Sequence, residues 1–324
     1  MKRALKIGLG LILILVVVFF LGPRPDGSYM ITFNKTDLGN DLDTYLSNEE
    51  SAVTELIPGA EKEIIWNNPV TKAKTPYSIV YAHGFSASKY ETRPVPDLVA
   101  KEIGANLYYT RFQGHGHSNG DRLADATVEG WANDFAEAMA IGERIGEKTI
   151  LIATSNGATI TTSFLSEPGI ADTLAGIVFM SPNFELAGLP TNVGNMPWAE
   201  ALLPMLAGER RSWEPENEEH GKWWTTSYPS IAIFPMMALL AKVEDTDKST
   251  INIPTAFIYS PQDEVVSVTA IENAISQWGG ETRVLKVEVE EGKSNHVIAG
   301  DIRAPENNAT VVDFIVDWFG KLDD

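Results

Sequence analysis

The stretch Lys148–Thr162, KTILIATSNGATITT, decides how the rest of the chain is read. Thr149–Ala153 is a short apolar run suited to a buried strand. Ser155 follows, then Asn156-Gly157 and small residues of helical character. A strand that turns sharply into a helix puts a serine at a strained corner, the geometry of a nucleophile elbow. The usual pattern is G-x-S-x-G; here Ala153-Thr154-Ser155-Asn156-Gly157 has alanine for the first glycine. The glycines serve where helix and strand approach closely, and alanine is the mildest departure from them. A Ser-x-Gly after a strand also serves ordinary packing, so this stretch needs partners elsewhere in the chain.

Outward from the elbow, strands and helices alternate. Glu63–Trp66 and Tyr77–Ala82 read as strands, Pro94–Ile103 as a helix and Ala105–Thr110 as a strand. Thr127 can cap a helix running to Ile145, with Trp131, Phe135 and Met139 on one face. Past the elbow helix, which ends near Leu165, come a strand at Gly176–Met180, one at Thr255–Tyr259, a helix near Val268–Trp278, a strand at Arg283–Val289 and a helix at Asn308–Phe319. This rhythm predicts an α/β fold: a mostly parallel sheet with helices on both faces. It breaks between Pro182 and Ile251, where there is no strand signal but four of the eight tryptophans and four of the eight methionines. We therefore expect a core over 61–182, a helical cap insertion over 183–251 and the rest of the core over 252–324. Residues 23–60 read as a linker followed by a lead-in helix at Asp41–Leu56.

Residues 1–22 stand apart. Ile7–Leu21 is an unbroken run of apolar residues and glycine behind Lys2, Arg3 and Lys6. It reads as a signal peptide or a membrane anchor. Gly22-Pro23-Arg24-Pro25 offers no small-x-small cleavage site, which favours an uncleaved transmembrane anchor with the catalytic body on the extracytoplasmic side; cleavage would give a secreted or periplasmic protein. The 324-residue chain carries a net charge of −19, and without those three N-terminal bases 22 basic residues face 44 acidic ones. Such a body is repelled by nucleic acid, so no nucleic-acid partner is expected. With no cysteine, disulfides, thiolate metal sites and a cysteine nucleophile are excluded.

A serine hydroxyl needs an adjacent base, and the base needs a carboxylate to orient it. There are five histidines. His83, His115 and His117 precede the elbow; His220 sits beside Glu218 and Glu219 and reads as solvated; His296, in Ser294-Asn295-His296, follows the last strand. Where a nucleophile elbow is used, the chain order is serine, acid, histidine. Asp263, just past Thr255–Tyr259, supplies the acid, with Glu264 as a solvated neighbour. The carboxyl ends of parallel strands share one edge, so Ser155, Asp263 and His296 should converge there. The oxyanion donors should be the backbone N–H groups of Asn156 and of Phe85 in His83-Gly84-Phe85. His115-x-His117-x-Asn119 looks like a metal motif but has asparagine where an acid is needed, so neither metal nor cofactor is expected.

These pieces together resemble serine α/β-hydrolases of the monoacylglycerol lipase, lysophospholipase and esterase branch. The matching stretches are His83-Gly84-Phe85, Gly114-His115-Gly116-His117-Ser118, Thr154-Ser155-Asn156-Gly157, Asp263-Glu264-Val265-Val266 and His296. With its apolar N-terminus, the chain is also similar to bacterial membrane-associated hydrolases of unassigned substrate. The resemblance implies the α/β-hydrolase fold, Ser155 as nucleophile, His296 as base, Asp263 as its orienter and ester hydrolysis through an acyl-enzyme. The expected substrate is an ester or lipid-like small molecule. Lysophospholipase or monoacylglycerol lipase, thioesterase and amidase or peptidase activity use the same machinery, and a catalytically silent scaffold is the alternative of a different class. The Trp and Met residues of the cap suit an apolar acyl group, and equally a cap packing onto the core.

Overall fold

A computed structural model of the chain describes residues 2–289 and 295–322; Ser294 of the expected His296 loop lies outside the described residues. Its helices are α1 (Lys2–Phe20), α2 (Leu42–Ser51), α3 (Val95–Ile103), α4 (Val128–Ile145), α5 (Asn156–Phe164), α6 (Thr191–Gly194), α7 (Ala199–Ala207), α8 (Glu218–Trp223), α9 (Phe234–Asp245), α10 (Val268–Gln277) and α11 (Asn308–Phe319). Its strands are β1 (Glu63–Ile65), β2 (Thr75–Ala82), β3 (Asn106–Tyr109), β4 (Gly146–Thr154), β5 (Leu174–Met180), β6 (Arg210–Ser212), β7 (Ser227–Pro229), β8 (Thr255–Tyr259) and β9 (Thr282–Lys286).

Among the described residues the main sheet has seven strands in the order β1-β3-β2-β4-β5-β8-β9. Only β1 runs antiparallel to its neighbour. The central strands are apolar on both faces because both faces are covered. Alternate residues therefore split between two cores. Val80, Ala82, Leu151, Ala153 and Phe179 pack with α4, α5 and α9. Ile79, Tyr81, Ile150, Ile152 and Met180 pack with α3 and α11. Local signals start and stop the helices where expected: the Thr127 hydroxyl accepts the N–H of Gly130 at 2.9 Å to cap α4, and Gly104, in the left-handed region at φ 67°, ends α3.

Three expectations change. The stretch read as a linker packs on the body: Leu38 is fully buried, and the N–H groups of Thr32 and Phe33 both donate to the Asn133 side chain on α4 at 2.8 Å. The lead-in helix α2 is tied down by the buried Glu50, which accepts from two nitrogens of Arg111 at 2.8 Å. The cap is not purely helical, since β6 and β7 pair antiparallel within it. Their three residues each, with two arginines in β6, carry no readable period.

The third change concerns α1. Its apolar side chains, such as Leu15 and Phe20, are exposed, and its end is held by the Trp198 indole N–H on the Phe19 carbonyl at 3.1 Å. Among the described residues no helix is long and apolar enough to cross a membrane, so the expected transmembrane helix is not found. The helix that holds the apolar run is α1, 19 residues long, with Arg3 and Lys6 in its first two turns.

Candidate active site

Ser155 stands between β4 and α5 at φ 51° and ψ −115°, a conformation costly for a residue with a side chain. The close approach that needs glycine is at Gly157: a Cβ there would run into the backbone carbonyl of Ala82. Ala153 needs no such space, and its methyl group fills part of the core on the α4–α5 side. The alanine in the elbow is tolerated because the helix crosses the sheet at position 157, not 153.

His296 and Asp263 arrive from loops past the carboxyl ends of β9 and β8. The Ser155 Oγ lies 2.9 Å from His296 Nε2, and His296 Nδ1 lies 2.8 Å from Asp263 Oδ2. With Nδ1 carrying the proton toward Asp263, Nε2 is left to accept from the serine hydroxyl. Asp263 Oδ1 accepts the N–H groups of Val265 and Val266 at 2.8 and 3.0 Å, which fixes the carboxylate. Phe85 lines the cavity over Ser155, and Asn156 opens α5. Among the described residues neither of their N–H groups has a protein acceptor. Glu264 is exposed at the cavity mouth.

Burial alone would lower the His296 pKa, but the adjacent Asp263 carboxylate outweighs it and holds the imidazole above its ordinary 6.5. A base must be neutral to act, so a raised pKa keeps it disabled to a higher pH. kcat/KM of any reaction run here should fall on acidification with a midpoint above 6.5. A pH–rate profile with its acid midpoint below 6.5 would contradict this assignment of the base.

The other histidines have different work. His83 Nε2 accepts the N–H of Phe112 at 3.1 Å while Nδ1 donates to the Gly84 carbonyl at 2.9 Å. His115 Nε2 accepts the N–H of Ser86 at 3.1 Å. Two neutral imidazoles thus stitch the His83–Ser86 loop to the glycine-rich loop, and burial pushes His83 down to about 4. His117 bonds the Thr54 carbonyl at 2.8 Å, and no group of three or more candidate ligands for a metal occurs among the described residues.

The reading of His220 as solvated is corrected. Asn217 caps α8, and this turns His220 inward between the rings of Trp213 and Trp224, 4.8 and 4.7 Å away. Arg303 reaches both its ring nitrogens and donates to Glu216 at 2.5 Å. Burial, then the Arg303 charge, lowers His220 to about 4. Adjacent glutamates suggested solvent; the partner lies 83 residues away and leaves no local trace.

A cavity of about 590 Å³ lies over Ser155 and His296. Leu186, Leu189, Ile233 and Met236 form an apolar wall, and Arg211, Trp213 and Trp224 come from the cap. A wider groove of about 740 Å³ beside Tyr90 and Asn217 does not include Ser155 and has no part in this chemistry. The cap methionines and tryptophans divide between roles: Met236, Trp213 and Trp224 line the cavity, whereas Met237 fills space against Gly194 and Trp223 stacks on Tyr90 at 3.7 Å.

Comparison with known proteins bears on this arrangement. No curated protein sequence matches the chain. Among solved structures it is similar to one reported for the metagenome-derived lipolytic enzymes LipS and LipT (TM-score 0.65, 19% identity, 82% of this chain and 99% of that one). It is also similar to the monoacylglycerol lipase of Paleococcus ferrophilus (TM-score 0.57, 14%, 79% and 98%). A soluble variant of monoglyceride lipase from Saccharomyces cerevisiae gives TM-score 0.57, 14% identity and coverage of 82% and 93%. At these identities the likeness establishes the α/β-hydrolase fold. The model of the family described as serine aminopeptidase, S33, matches residues 74–289, which hold Ser155 and Asp263. The chain therefore belongs to the serine aminopeptidase S33 family and is a serine hydrolase with the α/β-hydrolase fold.

Proposed function

We propose that the protein hydrolyses carboxylic esters carrying an apolar acyl or alkyl group, by way of an acyl-enzyme on Ser155. The observation that carries this reading is the unbroken relay from Ser155 Oγ through His296 to Asp263, set under a cavity with an apolar wall. Ser155 Oγ attacks the acyl carbon as His296 Nε2 takes its proton. The oxyanion that forms is met by the N–H groups of Phe85 and Asn156. His296 returns the proton to the leaving alcohol, and water, activated by the same imidazole, releases the acid. The lipase and monoacylglycerol lipase structures of the same fold support a lipid-like ester. Amide or peptide cleavage is the second reading, favoured by the family's own description. Thioester and lysophospholipid substrates would use the same steps.

The test is a panel of p-nitrophenyl esters of graded acyl length, monoacylglycerols, lysophospholipids, acyl thioesters and aminoacyl p-nitroanilides, run beside fluorophosphonate labelling. The highest kcat/KM is expected on an ester of medium or long chain, with Ser155 labelled. Labelling with turnover only of the anilides would overturn the ester reading in favour of a peptidase, and no labelling at all would leave a silent scaffold.

The place of action we propose is a lipid surface outside the cytoplasm, reached through α1. Its support is the exposed apolar run behind Arg3 and Lys6, on an otherwise acidic chain that would not adhere to anionic lipid by charge. Co-flotation with neutral lipid vesicles should be seen for the full chain and lost when residues 1–22 are deleted. Equal flotation of both would reject it.

A further inference from the structure

Glu91 is a buried carboxyl for which the steps above have no use. It sits in the loop between β2 and α3, is 2% exposed, and lines the cavity with Ser155 and His296. Its Oε2 accepts the N–H of Gly84 at 2.6 Å, a distance typical of a charge-assisted bond, and the Tyr81 hydroxyl at 3.3 Å. Gly84 is wedged beside it: a Cβ at that position would lie 2.5 Å from Glu91 Oε1 and 3.1 Å from Ser155 Cβ. The carboxylate and the serine therefore crowd the same point from two sides.

The charges around Glu91 can be enumerated. On its own segment Lys89 pairs with Glu63 at 2.7 Å and Arg93 with Asp97 at 2.9 Å, so both turn away. Across from it β2 offers Tyr81, whose phenol burial keeps un-ionised and whose oxygen lies 3.3 Å from the Thr154 hydroxyl. Among the described residues the charge that bears on Glu91 is His296, behind which stands Asp263 and on which Arg303 acts from the cap side. A carboxylate buried without a lysine or arginine is costly unless a cation forms nearby when it is needed. His296 becomes that cation at the moment Ser155 attacks.

We propose that Glu91 is a positioning residue of this active site: its ionised carboxylate holds the oxyanion loop through the Gly84 N–H and faces the imidazolium that forms on His296. The proposal rests on the ester-hydrolase reading and deepens it. The loop geometry makes the first part specific. The peptide that carries the Phe85 N–H begins at Gly84, whose carbonyl is held by His83 Nδ1–H and whose own N–H is held by Glu91. With both groups fixed, the direction of the Phe85 N–H is set. Protonating Glu91 removes the charge from one of these two ties and from the field at His296 together. Burial pushes its carboxyl up to about 7, against the opposing pull of the Gly84 N–H and His296, so this loss falls within the neutral range. The sign follows: the ionised form prevails above about 7, and its contribution disappears as the pH drops below.

The experiment compares wild type, Glu91→Gln and Glu91→Asp on p-nitrophenyl butyrate between pH 5.5 and 9, with thermal melting and fluorophosphonate labelling rates alongside. Wild type should show two ionisations on the acid side of kcat, one from the base and one from Glu91, with macroscopic values shared by the pair. Glu91→Gln should lose about 10- to 100-fold in kcat at pH 8 with KM changed less than threefold, and keep only one acid ionisation. Glu91→Asp should keep two. A wild-type profile with a single acid ionisation overturns the proposal even if the glutamine variant fails to fold. So does a folded Glu91→Gln enzyme with wild-type kcat and profile. Failure of wild type to turn over or be labelled would instead strike the ester-hydrolase reading, so the two failures are separable.

Discussion

Ser155→Ala should lower kcat for ester hydrolysis by on the order of 10⁶-fold and abolish fluorophosphonate labelling, as loss of the nucleophile does in enzymes that work as a unit. The size of the effect follows from the geometry. His296 Nε2 reaches Ser155 Oγ at 2.9 Å, and an alanine side chain leaves no hydroxyl in that position to activate. What survives is the contribution of the oxyanion donors and of binding in the cavity, about 10³–10⁴ over water. The variant should fold as wild type does. Alanine at 155 keeps the Cβ and with it the strain of φ 51°, whereas Ser155→Gly would relieve that strain and raise the melting temperature slightly while also being inactive. Steady-state assays and melting curves on both variants check the whole statement. An active Ser155→Ala protein would mean that the chemistry lies elsewhere.

Asp263→Asn should cost about 10⁴-fold in kcat, although the side chain keeps its shape. Asp263 uses its two oxygens differently: Oδ1 accepts two backbone N–H groups and Oδ2 accepts His296 Nδ1–H. An asparagine can keep only one oxygen. The two N–H groups of Val265 and Val266 will claim it, so the amide NH₂ turns toward His296. Nδ1 must then become the acceptor, and the ring proton moves to Nε2, where it faces Ser155 Oγ. The imidazole is then the wrong tautomer for a base. Because Asp263 is also what holds the His296 pKa up against burial, the residual activity should have its acid midpoint moved down from the wild-type position. The measurement is a pH–rate profile of the variant. A loss of less than tenfold, or an acid midpoint that does not move, would contradict the role given to Asp263.

The parts of this site that could be read from the sequence were those written in short local patterns. A strand followed by Ser155-x-Gly157, an aspartate just after Thr255–Tyr259 and a histidine after the last strand need only the rule that parallel strands end on one edge. The parts that could not be read depend on contacts between distant segments. Glu91 lies in Lys89-Tyr90-Glu91-Thr92-Arg93, which looks like a charged surface loop. It is buried because the loop folds back under Gly84. His220 looked solvated beside two glutamates and instead meets Arg303. The pairing of β6 with β7 joins segments too short and too polar to carry an alternating signal. At the N-terminus the apolar character of α1 is legible in its residues, but what holds its end is not: the Phe19 carbonyl accepts the indole N–H of Trp198, 179 residues away.

The sequence by itself determined the alternating α/β layout, the doubly buried central strands and the order of serine, acid and histidine along the chain. Those features rest on periodicity and on nearest-neighbour chemistry, which a chain carries in its local patterns. Only the tertiary structure decided that Gly157, not Ala153, marks the tight crossing, that two neutral histidines brace the oxyanion loop, and that a second carboxyl lies beside the serine. Burial and hydrogen-bond partnership are properties of the packed molecule, and they set which polar residues of a loop face water and which face the reaction.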